Sequence, residues 1–184
     1  MNAASGSPGR AGSMTEPPQS SPQPVRLSAI PLHVHEQAMR EAIAMSRRNR
    51  FFPFGAVIVR AADRRIMASG ANRGYANPTC RGEIVALNDY VSRHGNLGWE
   101  EAILYTTLYT TGEPCPMCMS ALAWARTGGV VYGTSIETLR RAGIDQILLP
   151  ATAIIAAAPF YRGEILGDVL SSETDALFAN RERR

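Results

Sequence analysis

Two cysteines separated by two residues constrain this 184-residue chain more than any other feature, because they stand in the run Pro114-Cys115-Pro116-Met117-Cys118. The apolar residues that follow predict a helix over 115–126, ended by two glycines. Positions i and i+3 project from one face of a helix, and proline fits its first turn. A helix N-terminus also favours the thiolate that binds metal. The pair is therefore either half of a tetrahedral zinc site or two small core residues at a helix start.

The remaining composition excludes several kinds of chemistry. With Cys80 the chain has three cysteines, too few for a disulfide scaffold. All 19 basic residues are arginine, which excludes a Schiff-base lysine and a phosphate-loop lysine, and the net charge of +3 is weak evidence for an acidic partner. No apolar run is long enough to cross a membrane, and the first thirty residues lack a secretory apolar core. We therefore expect residence in the cytoplasm, where thiols stay reduced, and no membrane partner.

The order of hydrophobic patterns predicts a layered α/β domain with a mixed sheet. Residues 1–27 form a Pro/Gly/Ser-rich tail that we expect to be disordered, which leaves a domain over 28–184. Periodicity and turn residues predict, in chain order, a helix over 35–48, a hairpin of 54–60 and 65–71, a helix over 83–92, a strand over 103–108, the helix over 115–126, a strand over 130–132, a helix over 136–142 and a last strand over 147–149.

A second motif lies about thirty residues before the cysteine pair, in Asn77-Pro78-Thr79-Cys80-Arg81-Gly82-Glu83. Taken alone, Glu83 is a common choice for a first helical turn. Together, the two motifs resemble the zinc deaminase signature, in which H-x-E is followed by P-C-x-x-C. Over nearly all of residues 30–150 the chain is similar to the cytidine-deaminase-like superfamily.

Within that superfamily the chain looks most like guanine deaminases, on residues 108–118, 121–126, 131–133 and 142–146. The resemblance implies a three-layer α-β-α fold with a central mixed five-stranded sheet. It also implies zinc-dependent hydrolysis of a purine base, guanine or a close analogue, to xanthine and ammonia. The tRNA adenosine deaminases share the core motif but usually have a different residue between the cysteines. A tRNA adenosine deaminase is one alternative, and a catalytically inactive binding protein of the same fold is another.

The resemblance also implies roles for five residues. Cys115 and Cys118 would hold Zn²⁺, and Glu83 would carry a proton from the attacking water to the base before ammonia leaves. The backbone of Gly82 would approach the base. Asn72 would contact it too, although asparagine is equally typical of a turn at this position. The family usually forms homodimers, so we expect a homodimer, with the apolar run 154–158 either contributing to it or packing on its own domain.

One position departs from the family pattern, because Arg81 stands where the zinc-binding histidine should be. A guanidinium has no lone pair and cannot bind zinc. Three explanations are open. Cys80 replaces the missing ligand, which requires a remodelled helix start; the site has lost its metal and the domain is not catalytic; or Arg81 is a variant of an active histidine parent.

Other histidines and aromatic residues offer little help to such a site. His94 lies ~20 Å along its helix from Arg81, and we expect His33 and His35 to be surface or capping residues. We expect Phe54 and Trp124 to be core residues rather than walls of a pocket.

Overall fold

The computed structural model describes residues 25–95 and 106–183. Residues 1–24 of the predicted tail, including Met14, and residues 103–105 of the predicted third strand lie outside these ranges. After a 3₁₀ turn at Leu27–Ala29, the elements are α1 Leu32–Ser46, β1 Gly55–Arg60, β2 Ile66–Ala71, α2 Gly82–His94, β3 Thr106–Gly112, α3 Pro116–Trp124, β4 Gly129–Thr134, α4 Ile136–Arg141, α5 Ala151–Ala156, β5 Glu164–Leu166 and α6 Ser171–Ala179. Val25 and Leu27, at the end of the predicted tail, are buried in the core.

The five strands form one mixed sheet in the order β2-β1-β3-β4-β5. The strand β1 pairs antiparallel with β2 and with β3, so the predicted hairpin is confirmed. The strands β3, β4 and β5 run parallel, with Tyr109 opposite Val131 and Val131 opposite Leu166. The predicted mixed five-stranded α/β fold is therefore confirmed. No helix in the described ranges is long and apolar enough to span a membrane.

Alternation along the strands divides the core into two layers. Val57, Tyr109 and Val131 point to one face, where α1 packs through Met39 and Ile43. The neighbouring strand residues point to the other face, where they meet buried residues of α2 and α3; these are Ala56, Ile58, Leu108, Val130, Leu87 and Leu122. Because both faces of the sheet are apolar, each must be covered by helices, and the sheet lies between two helical layers.

The predicted last strand over 147–149 is wrong. Its three apolar residues are exposed, and Pro150 follows them as the N-cap of α5. The fifth strand is β5 instead, which pairs along β4. The run 154–158 packs on its own domain, because Ile154, Ile155 and Ala158 belong to the core beneath α2 and α3.

His35 and Trp124 also differ from expectation. His35 lies inside α1 and is 2% exposed; its Nε2 donates to the Leu27 carbonyl at 3.1 Å, and its Nδ1 lies 3.0 Å from the Tyr109 hydroxyl. Helical periodicity does not predict the hydrogen bond between His35 and Tyr109, because the two residues are 74 positions apart in the chain. Trp124 is 73% exposed and stacks on Phe160, with 4.7 Å between ring centroids.

Glu113 holds the loop before the cysteine pair against two helices of the far half of the domain. Its buried carboxylate accepts hydrogen bonds from the Ile136 and Ala151 amides, each at 2.8 Å, and these residues begin α4 and α5. Its own amide donates to the Thr134 carbonyl at 2.7 Å. One carboxylate therefore fixes the position of α4, α5 and the end of β3 relative to one another.

We predict that Glu113→Gln lowers the free energy of unfolding by about 2–3 kcal/mol, because the amide NH₂ of glutamine would face one of the two backbone donors. Urea unfolding measures the change. The control is Glu137→Gln, at an exposed residue paired with Arg140; we expect it to cost less than about 0.5 kcal/mol. Equal effects of the two substitutions would contradict the role of Glu113.

The buried His35 should make the stability of the fold depend on pH. Burial lowers the pKa of His35 below its usual 6.5, so the folded state binds this proton less readily than the unfolded chain. The contribution of His35 to the free energy of unfolding is fully present above pH 6.5 and decreases as the pH falls below that value. Urea unfolding between pH 7.5 and 5 should show a smaller loss in His35→Gln than in the unmodified protein. The exposed His33→Gln should keep the full loss, and an unchanged pH dependence in His35→Gln would contradict the prediction.

Candidate functional site

Glu83 reaches the end of the sheet because α2 begins in direct backbone contact with the hairpin. A Cβ at Gly82 would lie 2.8 Å from the Phe54 carbonyl oxygen, and a Cβ at Gly70 would overlap the Gly82 carbonyl and the Ala86 amide. Only glycine permits this approach. The first turn of α2 therefore lies against β1 and β2, with Glu83 turned into the domain.

The Glu83 carboxyl group is 2% exposed and close to other polar groups. The Thr110 hydroxyl lies 3.4 Å from Glu83 Oε1 and 3.2 Å from the Gly112 carbonyl oxygen. Burial raises the pKa of Glu83 to about 7, and the nearby Cys115 adds to this while Arg81 opposes it. The carboxyl group can therefore both hold and release a proton near neutral pH, as a proton carrier must.

Cys115 and Cys118 lie beside Glu83 at the N-terminus of α3. Cys115 is the N-cap, Pro116 is the first helical residue, and the two sulfur atoms are 3.6 Å apart. The hydrogen bond between the two cysteine side chains lowers the pKa of the Cys115 thiol to about 6, helped by backbone amides and by Arg81. The same pairing and burial raise the pKa of Cys118. The predicted one-face arrangement of the two cysteines is present, next to the predicted acid.

Arg81 is the N-cap of α2, and its charge acts on Glu83 and Cys115 of the same site. Its guanidinium lies over the Phe54 ring, 5.3 Å from the centroid. Its positive charge lowers the pKa of Glu83 and of Cys115. Within residues 25–95 and 106–183 the guanidinium makes no hydrogen bond and no ion pair, so its N–H groups remain available as donors.

The two cysteines fit half of a zinc site. Two sulfur ligands at the zinc–thiolate bond length lie about 3.8 Å apart in a tetrahedron, close to the 3.6 Å between Cys115 and Cys118. The other half does not fit. Arg81 offers a cation instead of a lone pair, and in the described part of the chain no three His, Cys, Asp or Glu side chains form a group that could hold a metal.

Cys80, a candidate for the third ligand, forms no group of three possible metal ligands with Cys115 and Cys118 in the described part of the chain. Its thiol is partly exposed, and its backbone is tied into the loop before α2. The Cys80 carbonyl accepts from the Arg73 amide at 2.8 Å, and its amide donates to the Asn77 carbonyl at 2.9 Å. These two bonds fix the backbone of Cys80 within the loop that leads into α2.

Arg81 also lines a cavity of about 630 Å³ at the mouth of this site. Its walls include three arginines and three aromatic residues, namely Arg48, Arg50, Arg81, Phe51, Phe52 and Tyr75. Asn72 lies in the wall and is 3% exposed. Its Oδ1 accepts from the Gly74 amide at 2.9 Å, and its Nδ2 donates to the Phe52 carbonyl at 3.4 Å. Asn72 thus makes a turn and at the same time lies in the cavity wall.

Several residues of the site were not predicted from the sequence. Thr110 beside Glu83 could have been found from its place in the strand before the cysteine pair. The aromatic wall has no such signal, because Phe52 and Tyr75 belong to two loops that only the fold brings together. Phe54 is a core residue as expected, but it also supports Arg81.

Comparison with known proteins agrees with this geometry. The family model for the cytidine and deoxycytidylate deaminase zinc-binding region matches residues 32–134. A guanine deaminase of Bacillus subtilis (strain 168) is 32% identical over 136 residues, covering 71% of this chain and 83% of its own length. A tRNA-specific adenosine deaminase of Rickettsia typhi is 29% identical over 141 residues, covering 76% of this chain and 88% of its own.

Solved structures show the same fold. A guanine deaminase from Nitrosomonas europaea superimposes with a TM-score of 0.67 at 22% identity, over 91% of this chain and 94% of that one. The structure of the guanine deaminase from Bacillus subtilis superimposes with a TM-score of 0.53 at 33% identity, over 61% and 71%. With its Glu83–Cys115–Cys118 site on this fold, the chain belongs to the family of the cytidine and deoxycytidylate deaminase zinc-binding region.

Proposed function

We propose that this chain is a hydrolytic deaminase of a purine base, guanine or a close analogue, whose zinc-dependent activity is impaired by Arg81. The observation that carries the proposal is the buried Glu83 beside the Cys115–Cys118 pair, with Arg81 in the place of the third ligand. Structures of the same fold have been solved with 8-azaguanine and with 2,6-diaminopurine. These ligands, together with the Bacillus guanine deaminase, favour a purine base over other amines.

The residues of the site would have separate roles in binding and proton transfer. Glu83 would move a proton from water to the base, and its buried position keeps competing solvent away. Asn72 would orient the base through its second N–H, and Gly82 would let the base approach the helix backbone. Cys115 and Cys118 would supply two metal ligands. Arg81 leaves this ligand set incomplete, because its guanidinium has no lone pair for a metal.

We predict that Arg81→His binds one zinc per chain and raises the rate of ammonia release from guanine by roughly two orders of magnitude, the scale of a missing catalytic group. Metal analysis and an ammonia assay on the purified protein measure both. Arg73→His is the matched control, since Arg73 is an exposed loop residue outside the cavity wall. Arg81→His combined with Glu83→Gln should bind zinc without deaminating.

Each explanation left open by the sequence has its own outcome in this experiment. Full zinc content and equal activity in the unmodified chain would contradict impairment by Arg81, and loss of that zinc in Cys80→Ser would identify Cys80 as the ligand. Deamination of tRNA adenosine but not of guanine by Arg81→His would favour the tRNA enzyme. Purine binding without zinc or activity in Arg81→His would favour the inactive binding protein.

We also propose that the chain forms a homodimer and resides in a reducing compartment such as the cytoplasm. Cys80, Cys115 and Cys118 are free thiols, which a reducing compartment preserves. A shallow apolar groove of about 410 Å³ between α2 and α3 is bordered by Trp124, whose large exposed ring is typical of an interface.

We predict that Trp124→Glu converts a dimer to a monomer, because it places a charge at the border of this apolar groove. Sedimentation velocity measures the assembly state. Glu137→Lys changes charge on an exposed helix without entering the groove and should leave the dimer intact. If the unmodified protein sediments as a monomer, the proposed homodimer is wrong.

A further inference from the structure

The cavity at the mouth of the site carries more positive charge than a neutral purine base requires. Three of the residues in its wall are arginines, and none is acidic. Ligand cavities are usually apolar with a few polar groups that determine orientation. Three arginines around one cavity therefore indicate that the cavity binds a negatively charged ligand.

The three arginines are not equivalent. Arg50 already makes an ion pair with Glu182 at 2.8 Å. In the described part of the chain, the guanidinium groups of Arg48 and Arg81 have neither an ion pair nor a hydrogen bond. Arg48 is exposed at the end of α1, whereas Arg81 is partly buried over Phe54 and next to Glu83. Within the described residues, one arginine without a side-chain hydrogen bond or ion pair thus lies at the rim, and another lies beside Glu83.

Three aromatic residues line the same cavity as these cations. Phe51, Phe52 and Tyr75 form part of the wall, and Tyr75 is 76% exposed. Asn49 holds the loop that carries the first two, because its Oδ1 accepts from the Phe51 amide at 3.2 Å and from the Phe52 amide at 2.9 Å. Aromatic faces of this kind stack on nucleobases.

We propose that this cavity binds an oxopurine nucleotide, with the phosphate on Arg48 at the rim and a carbonyl oxygen of the base on Arg81. The inference rests on the proposed function in taking this cavity as the purine site, but it concerns binding and not turnover. A free base would leave the Arg48 cation without a partner, whereas a phosphate accepts its planar pair of N–H donors. The volume of about 630 Å³ also accommodates a ligand larger than a base.

The test is calorimetric titration of the zinc-free protein with guanosine 5′-monophosphate and with guanosine, which differ only by the phosphate. We expect the nucleotide to bind at least about tenfold more tightly at low salt, and the ratio to shrink as salt is added. Equal affinities for the two ligands would overturn the proposal.

Two substitutions separate the roles of the arginines. Arg48→Gln should abolish the nucleotide preference and leave guanosine binding unchanged, whereas Arg81→Gln should weaken both ligands about equally. Arg140→Gln, at an exposed arginine outside the cavity wall, should change neither. A nucleotide preference that survives Arg48→Gln would overturn the assignment of the phosphate.

The outcomes remain distinct from those of the proposed function. Guanine deamination by Arg81→His together with equal binding of nucleotide and nucleoside would overturn this inference alone. Nucleotide preference without any deamination would support it and contradict the proposed activity. Binding of a short single-stranded RNA far more tightly than the mononucleotide would assign the arginines to a nucleic acid and overturn the proposal.

Discussion

The contact on which this structure depends is made by backbone atoms, where β2 meets the first turn of α2. Gly70 and Gly82 leave no room for a side chain between the hairpin and the helix. A methyl group at either position would collide with backbone atoms across this contact and force the helix and the hairpin apart. Because Arg81 and Glu83 flank Gly82, this close approach determines where the charged groups of the site lie.

The electrostatics of the site follow from that placement. A buried carboxyl group and a thiol pair would repel one another if all were charged, and burial alone would keep them protonated. Arg81 supplies one positive charge next to them, which lowers the pKa of both Glu83 and Cys115. The family pattern has a neutral imidazole and a metal ion in this region. Here a single guanidinium supported on Phe54 occupies part of it.

Local patterns predicted much of the fold, and their failures share a cause. The hairpin, α2 and α3 were predicted because each has its own periodicity and its own end signals. The exposed run 147–149 is as apolar as a strand, but it lies outside the sheet, whose last position is taken by the less apolar β5. Trp124 and His35 were misplaced because burial depends on what packs against a residue, which periodicity does not specify.

The sequence by itself determined the chemistry that this chain can offer. It determined an acid and two thiols in the order and spacing of a deaminase, and an arginine that cannot be a metal ligand. The tertiary structure decided which of these groups meet. It placed Cys115 and Cys118 beside Glu83 and joined Arg81 to an aromatic, arginine-lined cavity built from separate loops. The reason is that residue type determines the chemistry of a group, while distances between groups far apart in the chain depend on how the helices pack against the sheet.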